Sequence, residues 1–262
     1  MPQLEDVAGV RTYYEEHGEG EPVALLHGAL EGGALWEFAA PALATQYRVL
    51  VPDRRGHGRT PDVLGAYTYA AMAEETIAFL EKVARGPAHI IGYSDGGVVA
   101  LQVALSRPDL VRSIIVLSAH LSREGIVPQF LARLDDPHPN SPQLAELRAA
   151  YGRTSPDGVE HWPVFHKKVS EMGSIGPSIA TTQLRTIDRP TLVVSTDDDV
   201  IDLRHTLSMY EALPNAQLCI FPNASHALPR EKPSELLWLL QSFLKGEPAK
   251  LLMPIRNRAK RA

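Results

Sequence analysis

A five-residue turn, Gly92-Tyr93-Ser94-Asp95-Gly96, joins two apolar runs and leaves the chain few ways to fold. The run before it, His89-Ile90-Ile91, is short and β-branched, as a buried strand is. The run after it, Val98-Val99-Ala100-Leu101-Gln102-Val103-Ala104-Leu105, is longer and closed by Arg107-Pro108, which predicts a helix. So sharp a passage from strand to helix brings the residues two before and two after the apex face to face. A Cβ there would clash, and glycine has none. The apex, Ser94, is pushed out with its hydroxyl exposed, where the next helix presents unpaired N–H groups. Gly-x-Ser-x-Gly between strand and helix is the setting of a nucleophilic serine. Asp95 is a rival apex, but its flanks are Tyr93 and Gly97, whereas those of Ser94 are both glycine.

The chain has 262 residues, 44% of them hydrophobic, which suits one large α/β domain or one domain with an insertion. A net charge of −5 offers no basic excess to draw nucleic acid. The single cysteine, Cys219, excludes an intramolecular disulfide framework and a thiolate metal cluster, and its apolar strand-like setting predicts a buried, inert thiol. The first residues lack a basic and apolar leader, and no 18-residue apolar run follows. A cytoplasmic location and no stable membrane association are therefore expected, with a small-molecule substrate as the partner. Oligomeric state is unreadable.

Taken in order, residues 1–21 predict two short strands around a turn. Buried strands are expected at 23–26, 47–52, 89–91 and 111–117, with helices at 34–44, 69–83 and 98–105. Short buried strands alternating with helices imply a mostly parallel sheet covered on both faces. From about residue 120 to 187 no buried strand is evident. That stretch is polar and proline-rich, with helical pieces at 143–151 and 159–172. A structureless loop of such length is improbable, so a small helical cap is expected. The sheet resumes at 191–194 and 217–221 and closes with a helix at 233–244. The expected division is a core first part over 1–122, a cap over 123–187, a core second part over 188–246, and a basic tail over 247–262.

A serine hydroxyl needs a base to take its proton, and the base is usually a histidine oriented by a carboxylate. On an α/β sheet such groups gather at the carboxyl ends of strands. Of the ten histidines, His27, His57 and His226 follow strands closely. The carboxylate cluster at a strand end is Asp197-Asp198-Asp199. In an extended strand Asp197 and Asp199 would point one way and Asp198 the other, which leaves two candidates. The chain order is then Ser, Asp, His.

Several motifs now stand in a fixed order: His27-Gly28, Asp53-Arg54-Arg55-Gly56-His57-Gly58, the serine turn, Pro190-Thr191-Leu192-Val193-Val194, the Asp-x-Asp, and His226 followed by Glu231-Lys232-Pro233. In these the chain resembles the α/β-hydrolase family over residues 10–245. The resemblance implies an eight-stranded, mostly parallel sheet with a lid inserted after the sixth strand. It also implies that Asp199 is the acid, and that the amides of Asp95 and Ala29, with Leu30 as an alternative, form an oxyanion hole. His27 and His57 match positions that are usually structural, and Asp197 is expected to bond nearby backbone N–H groups. Leu30 and, on one expected helix of the lid, Trp162 and His166 are candidate substrate contacts; for the helix residues, packing against the core is the favoured reading. The expected function is a serine hydrolase of a small carboxylic ester, lactone or activated amide, with no cofactor; there is no His-Glu-x-x-His or similar metal-ligand spacing. Perhydrolase, cofactor-free haloperoxidase-like and C–C bond hydrolase activities would use the same three residues. Aspartate-nucleophile relatives are disfavoured by Ser94. A ligand-binding receptor with low turnover is the alternative from another class.

Overall fold

The computed structural model describes residues 2–246 and residue 252; the rest of the basic tail, 247–262, lies outside the described residues. Eight strands form one sheet in the order β1-β2-β4-β3-β5-β6-β7-β8. They are β1 (Pro2–Val7), β2 (Val10–His17), β3 (Pro22–Leu26), β4 (Arg48–Pro52), β5 (Ala88–Tyr93), β6 (Val111–Leu117), β7 (Thr191–Asp198) and β8 (Ala216–Ser225). The β1–β2 and β2–β4 pairs are antiparallel, and every other pair is parallel. This is the mostly parallel architecture expected, with helices on both faces.

The apolar strands read as continuous runs because both of their faces are covered. Successive side chains alternate between faces. Ala24 and Leu26 of β3 join Ile90, Ile114, Val116 and Val193 in one core, with Met72, Phe79, Val99 and Val103. Val23 and Leu25 join Ile91, Ile115, Leu192 and Val194 in the other, with Trp36, Leu43, Leu236 and Leu240. The helices supplying those layers are α1 (Ala40–Leu43), α2 (Tyr69–Phe79), α3 (Asp95–Ser106) and, after β8, the helix Pro233–Leu244. Each fully buried leucine or isoleucine contributes about 1.5–3 kcal/mol.

Residues 34–44 depart from expectation. They form a 3-10 turn, Gly33–Trp36, and then the single turn of α1, not one helix. Pro41 accounts for the break: it has no N–H to give a preceding turn, and its ring crowds the carbonyl four residues back. The stretch between β6 and β7 holds α4 (Pro128–Asp135), α5 (Ala145–Thr154), α6 (Trp162–Ile175) and α7 (Thr181–Leu184), with no strand. Its root is stitched to the loop after β7. Ile126 and Ile201 form an isolated antiparallel bridge, Val127 N–H donates to Val200 C=O at 2.9 Å, and Asp202 N–H donates to Gly125 C=O at 2.9 Å. After β7 come α8 (Leu203–Ala212), α9 (Leu228–Glu231) and α10 (Pro233–Leu244). α8 opens on Asp202, whose carboxylate accepts from the Arg204 and His205 amides.

Candidate active site

Ser94 is the one residue between the end of β5 and the start of α3, and it adopts φ +53°, ψ −120°. Non-glycine residues rarely take that backbone conformation, which costs on the order of 1–3 kcal/mol and persists only where the surroundings impose it. Here Ser94 N–H donates to Leu117 C=O at 2.8 Å, and Ser94 C=O accepts from Gly97 N–H at 2.8 Å. A Cβ on Gly92 would collide with the Gly96 carbonyl, as the sharp turn demands. A Cβ on Gly96 would instead strike the carbonyls of Leu26 and His27. The second glycine therefore lets α3 approach the end of β3, a role the face-to-face picture of the turn did not include.

His226 follows β8 directly. Its Nε2 lies 3.1 Å from Ser94 Oγ, and its Nδ1 lies 2.7 Å from Asp199 Oδ1. With Nδ1–H donating to the carboxylate, Nε2 is left as an acceptor facing the serine hydroxyl. Tyr93 steadies the histidine by donating its hydroxyl to His226 C=O at 2.7 Å. Asp199 accepts from Ile201 N–H at 3.2 Å on Oδ1, and from Ser118 Oγ at 2.6 Å and Ser195 Oγ at 3.2 Å on Oδ2. Burial pushes its carboxyl up, but the bonds and charge of His226, with Ser118 and the Ile201 amide, outweigh burial and hold it below the usual range.

Alternation along a strand does not separate the aspartates as expected. β7 ends at Asp198 and its register slips between Thr196 and Asp198, so Asp199 lies beyond the pleat. Asp197 accepts from the Asn223 and Ala224 amides at 2.8 and 3.2 Å, and these bonds lower its pKa. Asp95 opens α3 with its carboxylate accepting from Tyr69 OH at 2.8 Å. Ser118, Ser195, Tyr93 and Tyr69 carried no sequence signal beyond standing next to a strand end or within a helix.

Ser94 and His226 line a cavity of about 490 Å³ together with Ala29, Leu30 and Asp95. Leu30 has φ +58°, so the loop after β3 turns sharply beneath the cavity. The far wall comes from α4, α5 and α6 through Phe130, Leu134, Leu147 and Val169. His166 also lines it, with Nδ1 lacking a hydrogen-bond partner among the described residues. Trp162, the other candidate contact, does not. It is fully buried, meets Tyr151 edge-on and Phe165 at a tilt, and donates its indole N–H to Pro139 C=O at 2.7 Å. A large apolar ring one residue into α6 faces the packed layer beneath the helix and not the space above the serine.

The rival histidines are fully buried. Burial, with the Arg54 charge, lowers His57 to about 3 and drives His27 down as well, so both stay neutral. Cys219 is half-buried rather than buried, and partial burial pushes its thiol up. The arrangement as a whole sets a serine hydroxyl against an imidazole backed by an enclosed carboxylate, at the wall of a cavity large enough for a small organic molecule.

A family model described as the alpha/beta hydrolase family matches residues 23–237. The chain is 30% identical, over 82% of its own length and 89% of the relative's, to a putative carbamate hydrolase RutD of Stutzerimonas stutzeri. It is 27% identical to a pimeloyl-[acyl-carrier protein] methyl ester esterase of Aeromonas hydrophila, over 88% of this chain and 98% of that one. Among solved structures, one of an N-acyl homoserine lactone degrading enzyme superposes with a TM-score of 0.76 at 26% identity, covering 92% of this chain and 100% of the other.

Proposed function

The chain belongs to the alpha/beta hydrolase family, and on that premise we propose that it is a serine hydrolase cleaving a small carboxylic ester, lactone or activated amide through an acyl-enzyme. Ser94 is the nucleophile, His226 the base and then the acid, and Asp199 the group that holds His226 in its working tautomer. As Ser94 Oγ bonds to the substrate's carbonyl carbon, His226 Nε2 takes the hydroxyl proton. Negative charge gathers on the carbonyl oxygen, where the amides of Ala29 and Asp95 receive it. The C–O or C–N bond then breaks, and His226 returns the proton to the leaving atom. Water then attacks the acyl carbon as His226 takes its proton, and His226 passes that proton to Ser94 Oγ as the acyl C–O bond breaks.

The observation that carries this reading is the unbroken chain of contacts from Asp199 through His226 to Ser94, 2.7 and 3.1 Å, at the wall of one cavity. The relatives named above for carbamate, methyl ester and lactone substrates support an acyl carbon with an oxygen or nitrogen leaving group. The helices over 123–187 act as the lid that shapes the acyl pocket, and His166 and Leu30 meet the substrate there. A fluorophosphonate probe tests the proposal. The wild-type protein should label and Ser94→Ala should not, and a panel of small esters and lactones should be turned over only by the wild type. Turnover retained in Ser94→Ala would overturn it.

A further inference from the structure

Arg54 lies behind the loop that carries Ala29. It is only 5% exposed, and among the described residues no carboxylate lies within ion-pair distance of it. Its Nη2 donates instead to two carbonyls, His27 C=O at 2.5 Å and Gly28 C=O at 3.0 Å. The second bond is the informative one. Gly28 C=O and Ala29 N–H belong to the same peptide unit, so a cation on the oxygen draws electrons away from the N–H on the other side.

A second donor reaches the same oxygen. Arg54 N–H donates to His27 Nε2 at 3.0 Å, which leaves the ring proton on Nδ1. Nδ1 stands 2.8 Å from Gly28 C=O and donates to it, so the 3.3 Å approach of Arg54 Nη2 to Nδ1 is a close contact of two donors and not a hydrogen bond. Arg54 thus acts on this one carbonyl twice, by its guanidinium directly and by its backbone amide through the His27 ring. A neutral side chain could hold the loop in place without the cost of burying a charge. The charge is explained if its work is electrostatic.

We infer that Arg54 is a positioning residue for hydrolysis that, with His27, orients and polarises the peptide whose N–H at Ala29 meets the developing oxyanion. This rests on the reading of Ala29 as an oxyanion donor. A low-dielectric surrounding makes such preorganised charge effective, because nothing there must reorient as the transition state forms.

The test compares wild type, Arg54→Gln and Arg54→Lys on one small ester and on binding of an alkyl boronic acid, which forms a tetrahedral anion on the serine. Arg54→Gln should lower kcat by roughly ten- to a hundredfold, short of the ~10²–10³ lost when an oxyanion donor is removed outright. KM should stay within about threefold, and boronate affinity should fall in proportion to kcat. Arg54→Lys keeps the charge but not the planar guanidinium that sets Nη2 between the two carbonyls, so its kcat should fall by at least about threefold, less than in Arg54→Gln. If Arg54→Gln does not fold, Arg54→Lys decides alone. A folded variant with wild-type kcat, or one in which KM and boronate binding weaken equally, overturns the inference. Ser94→Ala run alongside keeps the two questions apart: activity there would sink the serine mechanism, whereas the ratios among the Arg54 variants judge only this arginine.

Discussion

Two carboxylates at the end of β7, two positions apart in sequence, do different work. Asp197 ties the end of β7 to the Asn223 and Ala224 amides of β8, and Asp199 meets His226 from a fully enclosed position. Asp199→Asn should keep the shape but allow the wrong histidine tautomer, a change worth about 10⁴ in kcat in serine proteases. Asp197→Asn leaves an amide oxygen that can still accept from the same two backbone donors on an exposed side chain, so the rate should fall roughly tenfold at most. Measuring kcat for both variants on one ester, with melting temperatures alongside, should therefore separate them by about two orders of magnitude or more; equal losses would move the acid. Most of this was legible from residue types at strand ends. Ser94 is read from its flanking glycines and His226 from its place after a strand and the chain order, and the two stand within hydrogen-bond reach. The serines that cradle Asp199 were not legible, because a lone serine in a strand looks the same whether its hydroxyl faces solvent, core or a carboxylate. Trp162 takes the packing role that was favoured over substrate contact: a helical position predicts a face, and only the packing decides what the face meets.

At the scale of elements, the serine turn depends on a glycine that belongs to two neighbours at once. Gly96→Ala would drive a Cβ into the Leu26 and His27 carbonyls and so displace the loop that bears Ala29. The expected result is a fall in thermal stability corresponding to about 1–3 kcal/mol, as overpacking typically costs, together with a drop in kcat out of proportion to KM. A variant as stable and active as the wild type would contradict it. The cavity wall offers a different lever. Leu147 on α5 lines the space but touches none of Ser94, Asp199 or His226 in the hydrogen-bond network. Leu147→Trp should leave kcat on an acetate ester within about threefold and raise KM at least about tenfold for acyl chains of eight carbons. A chain-length series reads this directly, and an equal effect on every chain would mean the wall is not the acyl site. The helices that build this wall were only partly legible. α5 and α6 were expected as helical pieces, whereas α4 is only eight residues long and buries none of them, and α7 is a single turn, so each offers too short a window for a helical period to be read.

At the scale of the whole molecule, the mostly parallel sheet follows from short buried runs joined by helices, and the two alternating cores make any one-residue slip costly. Such runs fix fold class well and boundaries poorly, which is why β7 and β8 extend past their apolar segments to Asp198 and Ser225. The fold also commits the protein to an acid limit. His57 falls to about 3 and His120 to about 4, both through burial first, against an ordinary value of 6.5. As pH falls below ~6.5, the unfolded chain takes up protons that these folded histidines refuse, so stability is full above that point and is lost through the window down to their folded values. Melting temperature should therefore decline from pH 7 to pH 4, and less steeply in His57→Gln; identical slopes would exclude the histidine. Finally, the stitch between residues 125–127 and 200–202 hangs the helical excursion on the same short segment that carries Asp199. It works as a door does when hinge and lock share one post. Bending on the near side of Val127 would drag Asp199 away from His226, so any swing that leaves that contact in place must turn beyond Val127. The doorway can then change its width, or a different door be hung from the same post, while the lock stays set.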